Sequence, residues 1–176
     1  YGLHNLPNLQ VGEFAIKSGP LMAASDFFEI IVEGKGGHAA LPHFSNDTTL
    51  ASSAIVLALQ QIVSRRISAL QSVVLSVTGL CTDTMAHNVT PDSVRITGTT
   101  RFLNEVERQK MPGSIEKTAQ STAEAYGCTA NVRYEFGVSI TDNYDKNTEF
   151  AIEAAEAVVG PSNIKTDIEP IMAVSY

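Results

Sequence analysis

Residues 26–43 read Asp26-Phe27-Phe28-Glu29-Ile30-Ile31-Val32-Glu33-Gly34-Lys35-Gly36-Gly37-His38-Ala39-Ala40-Leu41-Pro42-His43. Phe28, Ile30 and Val32 share one parity, whereas Glu29 and Glu33 take the other, which is the period-two signature of a strand with one buried face. The spacing predicts a strand over about 26–34. Glycine admits a left-handed backbone or a close approach at a cost in entropy. The glycine-rich segment that follows therefore either turns tightly or touches something, and it presents His38 where the backbone is least encumbered.

Working outward, Pro42 and the polar cluster Ser45, Asn46 and Asp47 precede a helical pattern. Ile55, Leu59 and Ile62 lie on one face, with Leu50, Ala51 and Ala58 beside it. A helix is predicted over about 47–67, ending on Arg65 and Arg66, where the macrodipole favours cations. A second strand is read at 72–80 and a third at 92–102, where Val94 and Ile96 alternate with Arg95 and Thr97. A second helix is read from Ile115, Ala119, Ala123 and Tyr126, interrupted at Pro112-Gly113, with Gly127 just past its end. A fourth strand covers 129–138, with Ala130, Val132, Tyr134 and Phe136 on one parity. This order is the split βαβ arrangement. The predicted class is α+β: a ferredoxin-like βαββαβ domain, a four-stranded antiparallel sheet with two helices on one face.

A third helix is predicted at 147–159, stopped by Gly160-Pro161, and residues 163–176 read as a strand belonging elsewhere. Residues 1–24 likewise look like the edge of another body. The expected organisation is a central domain, 25–139, inserted into a second domain to which 1–24 and 140–176 return. The first residue is Tyr1 and the last stretch is "EPIMAVSY"; a piece of a longer protein is expected.

Twelve Lys and Arg against nineteen Asp and Glu leave a formal charge of −7. That balance lacks the basic stripe needed to neutralise nucleic-acid phosphates or to hold an anionic membrane. No apolar run reaches the roughly 20 residues of a membrane helix, and there is no charged leader followed by an apolar stretch. Cys81 and Cys128 are too few for a disulfide scaffold and lack metal-ligand spacing; both are expected to be buried thiols of a cytoplasmic protein.

Chemistry is sought among the four histidines, His4, His38, His43 and His87, because neither G-x-G-x-x-G nor H-E-x-x-H occurs and "GKGGHAA" lacks the ending of a phosphate loop. An imidazole at position 38 can donate to an oxygen that gains charge during acyl transfer; a solvated turn histidine fits the residues equally well. His4, in "YGLHNLP", reads as a strand-end residue suited to a metal, yet a catalytic zinc takes about three protein ligands. Asn88, beside His87 in "MAHNVTPDS", offers both a donor and an acceptor to a carboxylate or amide, and also suits a plain turn.

Taken in order, "GLHNLP", "GKGGHAALPH" with Asp47 downstream, "SRR", "HNVTPDS" and "ITGTTRF" resemble the metal-dependent aminoacylase and hippurate hydrolase family, the amidohydrolase group of the dinuclear metallopeptidases. The resemblance implies a lid (dimerisation) domain of ferredoxin-like fold at 25–139, with catalytic-domain segments at 1–24 and 140–176. It implies that His4 is a metal ligand and that His38 stabilises the tetrahedral oxyanion in the partner subunit. It further implies that Asn88 lies near the substrate and that Arg101 of the "GTTR" strand binds it. The implied cofactors are two divalent ions (zinc, manganese, nickel or cobalt) in the complete enzyme, the implied substrate an N-acyl amino acid or related amide, the implied partner a second copy of the chain. The family's remaining metal ligands and its paired glutamates fall outside 1–176, so the chain alone is expected to be inactive. A different class remains open: a non-catalytic ferredoxin-like domain that binds a small ligand or regulates by dimerising.

Overall fold

In the computed structural model, which describes residues 1–173, elements follow in chain order from both sides of the glycine-rich segment. They are β1 (Phe14–Ala15), β2 (Gly19–Met22), β3 (Ala24–Glu33), β4 (Gly37–His38), α1 (Thr48–Gln61), β5 (Val73–Thr82) and β6 (Val89–Thr90). There follow β7 (Ser93–Phe102), α2 (Glu105–Ala125), β8 (Thr129–Val138), β9 (Thr141–Asn143), α3 (Asp145–Val159) and β10 (Ile164–Lys165). Contacts divide the chain into two compact units, one of Ser25–Gly137 and one of 1–24 with 138–176.

In the central unit the four long strands form one sheet in the order β5-β7-β3-β8, the strand order of a split βαβ fold. β5 and β7 run antiparallel from Val73↔Phe102 to Thr82↔Val94. Parity decides the buried face: Phe28, Ile30 and Val32 of β3 and Val94, Ile96 and Phe102 of β7 are buried, while Arg95 and Glu33 are exposed. Gly98 sits where a Cβ would meet the Phe28 ring and lie 2.5 Å from the Ser76 carbonyl. The glycine lets an aromatic ring cross the neighbouring strand.

α1 and α2 pack against each other and against β7, meeting through Ala51, Ile55, Leu59 and Ile62 on one side and Met111, Ile115, Ala119 and Ala123 on the other, all buried. Asp47 caps α1, accepting from the amides of Thr49 and Leu50 at 2.9 and 3.0 Å. The helix then relaxes into a wider turn over Ile62–Arg66, so the regular helix ends before the expected 67. Leu50, expected beside the apolar face, is 55% exposed, while Thr48, Ala51 and Ser52 around it are buried, so the inward face of the first turns is set by these small residues and Leu50 falls outside it.

α2 departs from its expected interruption. It is continuous from Glu105 through Pro112 to Ala125, capped by Asn104, which accepts from Val106 and Glu107 at 2.9 and 3.2 Å. Proline inside a helix costs about 3 kcal/mol. Five buried apolar or small side chains spaced along α2, Met111 to Ala123, outweigh that cost, because helices in proteins are held mostly by packing. The end is as expected: Gly127 has φ +71°, the Cys128 amide reaches the Ala123 carbonyl and the Gly127 amide that of Glu124, each at 2.9 Å.

A buried ion pair ties the first strand of this unit to its last. Asp26 is fully buried and accepts from Arg108 Nη2 at 2.7 Å, Arg108 Nε at 3.0 Å, the Tyr134 hydroxyl at 3.0 Å and the Gly137 amide at 3.0 Å. Thr100 Oγ1 donates to the Tyr134 oxygen at 2.7 Å, since the phenol proton is given to Asp26. The Arg108 guanidinium also lies 5.3 Å from the centre of the Phe136 ring.

In the other unit β1 pairs in parallel with β10 and β2 antiparallel with β9. The ion pair of Lys165 with Glu13, 2.7 Å, staples the first of these. α3 stops at Gly160, φ +79°. The strand expected over 163–176 is a strand only at Ile164–Lys165, with a single bridge from Ile171 to Met22; Val174, Ser175 and Tyr176 lie outside the described residues. Pro170 and the turn-prone Asp167 break the apolar run. Cys128 is buried, but Cys81 is exposed, contrary to expectation: an irregularity between Val77 and Gly79 shifts the register of β5, so that Cys81 leaves the parity of buried Val73 and Leu75 and pairs with exposed Arg95. No helix among the described residues is long and apolar enough to cross a membrane.

Candidate functional site

The glycine-rich segment does not turn on left-handed residues: among the described residues positive φ occurs only at Gly12, Gly19, Gly127 and Gly160. Its glycines serve close approach instead. A Cβ on Gly34 would lie 2.5 Å from the Asn46 carbonyl and 2.7 Å from Thr48 Cγ2, and one on Gly36 would lie 2.5 Å from the Thr90 carbonyl. Gly37 meets only Ser45 Cβ at 3.7 Å, an ordinary contact.

What the segment approaches is the loop that carries Asn88. β4 and β6 form a two-residue antiparallel ladder, Gly37↔Thr90 and His38↔Val89, extended by the Ala39 amide bonded to the Asn88 carbonyl at 2.9 Å. Gly34 N donates to the Asp92 carbonyl at 3.0 Å and Gly36 N to Asp92 Oδ1 at 2.8 Å. Beneath them, buried Thr48 Oγ1 donates to the Pro91 carbonyl at 2.8 Å. Two loops read separately in the sequence are thus one structure, and it brings His38 and Asn88 together.

His38 Nδ1 accepts from the Ala40 amide at 3.1 Å. An accepting nitrogen carries no proton, so the neutral ring has its hydrogen on Nε2. The exposed imidazole therefore offers one oriented N–H donor. His43 stacks on Phe44 with centroids 4.1 Å apart, next to exposed Leu41; the surface beside His38 is apolar.

Arg101 lies elsewhere. It is on β7 opposite Val74, its Nη1 donating to the Thr99 hydroxyl and, at 3.0 Å, to the Thr100 carbonyl. Eight residues of strand separate it from Ser93, next to the Asp92 clamp, about 26 Å at the usual rise. The structure does not bring it to His38. His4 belongs to the other unit; it is exposed, outside any strand, with Nδ1 2.7 Å from the Asn5 carbonyl. The expected strand-end placement is corrected: the first strand begins at Phe14, because Pro7 precedes a turn. Among the described residues no group of three or more His, Cys, Asp and Glu side chains could hold a metal ion, so they do not by themselves complete a metal centre, and His4 could supply one imidazole ligand at most.

Sequence reading missed Asp92, Asn46 and Thr48, which hold the His38 loop. The available signal was the pair of alternate glycines, 34 and 36, which marks a backbone that must be approached on one side.

The profile described as "Peptidase dimerisation domain", M20_dimer, matches residues 25–127. The chain is 42% identical over 134 residues to the N-acetylcysteine deacetylase of Bacillus subtilis strain 168, covering 76% of this chain and 35% of that protein. It is 32% identical over 173 residues to the hippurate hydrolase of Campylobacter jejuni, covering 98% of this chain and 45% of that one. A Bacillus subtilis protein described as a dinuclear metal binding peptidase from the M20 family superposes with a TM-score of 0.72 at 30% identity, over 96% of this chain and 41% of that one. The chain thus spans less than half the length of these relatives. The match to more than half of its residues, running from β3 through α2, establishes that the chain belongs to the M20 peptidase dimerisation domain family.

Proposed function

We propose that this chain is the dimerisation (lid) portion, with flanking catalytic-domain segments at both ends, of a metal-dependent amidohydrolase that cleaves N-acyl amino acids or related amides in the cytoplasm. The observation that carries the reading is the β4–β6 ladder. It holds His38 with its donor on Nε2 next to the Asn88 loop, an arrangement a solvated turn does not require.

In this reading His4 would help to hold the two divalent ions of the complete enzyme, which would supply activated water. His38 Nε2–H donates to the oxygen that becomes negative as the amide carbon turns tetrahedral. A fixed donor helps because it needs no reorganisation as charge develops. Asn88 holds the amide or carboxylate of the substrate, and Arg101 a carboxylate. The strand length between the Asp92 clamp and Arg101, about 26 Å, exceeds the reach of a small substrate, so one substrate meeting both takes them from two chains. That supports a homodimer in which His38 acts on its partner's site.

The test is made in the full-length protein. His38→Ala is expected to lower kcat about 100-fold or more with folding and metal content unchanged. Mixing it with a variant disabled at a catalytic-domain metal ligand should restore part of the activity through heterodimers. Full activity in His38→Ala would overturn the oxyanion role; an inactive variant that is never complemented would place His38 in its own subunit's site.

A further inference from the structure

We infer that Asp92 is a positioning residue for His38. The inference rests on the role proposed for His38, but its geometry stands independently. Residues 88–92 run alongside 34–39, and the contacts recur along them: the Asn88 carbonyl takes the Ala39 amide, Val89 and Thr90 pair with His38 and Gly37, and the Asp92 carbonyl takes the Gly34 amide. The one side chain in this series is Asp92, whose Oδ1 takes the Gly36 amide at 2.8 Å.

The carboxylate fixes the backbone at the midpoint between the end of β3 and the histidine. A charged acceptor makes this bond stronger than a neutral one, which matters in a loop exposed to competing water. Gly36 is the matching half: a Cβ there would lie 3.0 Å from Asp92 Oδ1 and 2.5 Å from the Thr90 carbonyl, so a larger residue would push the two segments apart. Asp92 itself is anchored, because Pro91 before it is buried and bonded to Thr48, and Ser93 after it begins β7. The rigid sheet and the first turn of α1 thereby set where the imidazole sits. Without the clamp, the glycine between the Lys35–Asn46 bridge and the two-residue ladder loses its tie to the start of β7, and the Ala40-to-Nδ1 bond that selects the Nε2–H tautomer loses part of its fixed base.

The experiment reads the ring itself in the 176-residue chain, by nitrogen NMR of the His38 imidazole and amide hydrogen exchange. In the unaltered chain His38 is expected as the Nε2–H tautomer, with a protected Gly36 amide. Asp92→Ala should speed Gly36 exchange about tenfold and move the ring toward tautomer averaging, while amides of β7 and α1 stay protected. Asp92→Asn retains an acceptor oxygen and should keep both signatures. Gly36→Ala leaves the carboxylate in place and blocks its approach, so it should mimic Asp92→Ala; it serves as the deciding variant if Asp92→Ala folds poorly. An unchanged tautomer and Gly36 exchange rate in Asp92→Ala, or equal behaviour of the Ala and Asn variants, would overturn the assignment. None of these readouts depends on activity, so the clamp can hold even if His38→Ala proves fully active, and the two ideas fail separately.

Discussion

At the scale of single residues, Asp26 makes the largest individual demand on the fold. A carboxylate with no exposed surface persists only when its lone pairs are filled, and Arg108, Tyr134 and Gly137 fill them. Removing Asp26 takes from the buried Arg108 guanidinium its shortest carboxylate contact, although Glu105 still lies 3.4 Å from its Nη1, so Asp26→Ala is expected to destabilise the central unit by about 3–5 kcal/mol, measured by urea unfolding. A loss below 1 kcal/mol, roughly that of a surface ion pair, would mean the pair is hydrated. The same cluster predicts alkaline sensitivity. Burial pushes the Tyr134 phenol well above its ordinary range; the Thr100 hydrogen bond opposes this next, the Asp26 charge and its hydrogen bond reinforce it, and the Arg108 charge opposes it least. A raised folded value means that the stabilisation is intact below the unfolded phenol value of about 10 and is lost as pH rises above it. Stability should therefore fall more steeply above about pH 10 in the unaltered chain than in Tyr134→Phe. Parallel curves would show that Tyr134 ionises freely in the folded protein.

At the scale of elements, α2 shows where local preference and packing disagree. Pro112 and Gly113 are poor helix residues, yet the helix passes through both, since the adjacent Met111 and Ile115 are buried against α1. Gly113 is exposed, and a Cβ there meets nothing within 4 Å. Gly113→Ala is thus expected to stabilise the unit by about 0.5–1 kcal/mol, seen as a raised urea midpoint; a lowered midpoint would mean that the bend at Pro112 needs the glycine. Gly127 makes the opposite case. Its φ of +71° suits glycine, and a Cβ would also press on Asn46 Nδ2 at 3.0 Å, so Gly127→Ala should cost about 1–2 kcal/mol.

For the whole molecule, the edges of the sheet matter most. β8 carries Arg133 and Glu135, but β5 on the opposite edge carries no charged residue, and neither does the chain from Ile67 to Thr82. An uncharged ten-residue edge is a ready template for pairing, and Leu57 on α1 and Leu80 on β5 are exposed beside it, 75% and 46%. Sedimentation should show a dimer at micromolar concentration, shifted toward monomer by Leu80→Lys; a strictly monomeric chain would count against pairing along β5. Limited proteolysis should spare Ser25–Gly137, and early cleavage within β7 would contradict an independently folded central unit.

The sequence by itself marked the four long strands, the buried parity of β3 and β7 and the existence of three helices, because period-two and period-3.6 patterns are local consequences of which face is buried; Phe136, read with the inward parity of β8, is 48% exposed. The sequence also marked His38 and Asn88 as residues able to carry chemistry. Only the tertiary structure decided that their loops form one ladder, that the glycines permit close approach and not a left-handed turn, and that Asp92 holds the assembly. The ladder, the Asp92 bond and the approach of Gly36 depend on residues more than 40 positions apart, and the approach of Gly34 on residues 12 and 14 apart, pairings that no local pattern encodes. The continuity of α2 and the exposure of Leu50 and Cys81 were settled the same way. Packing energy gathered from distant strands and helices outweighs a local preference worth only a few kcal/mol.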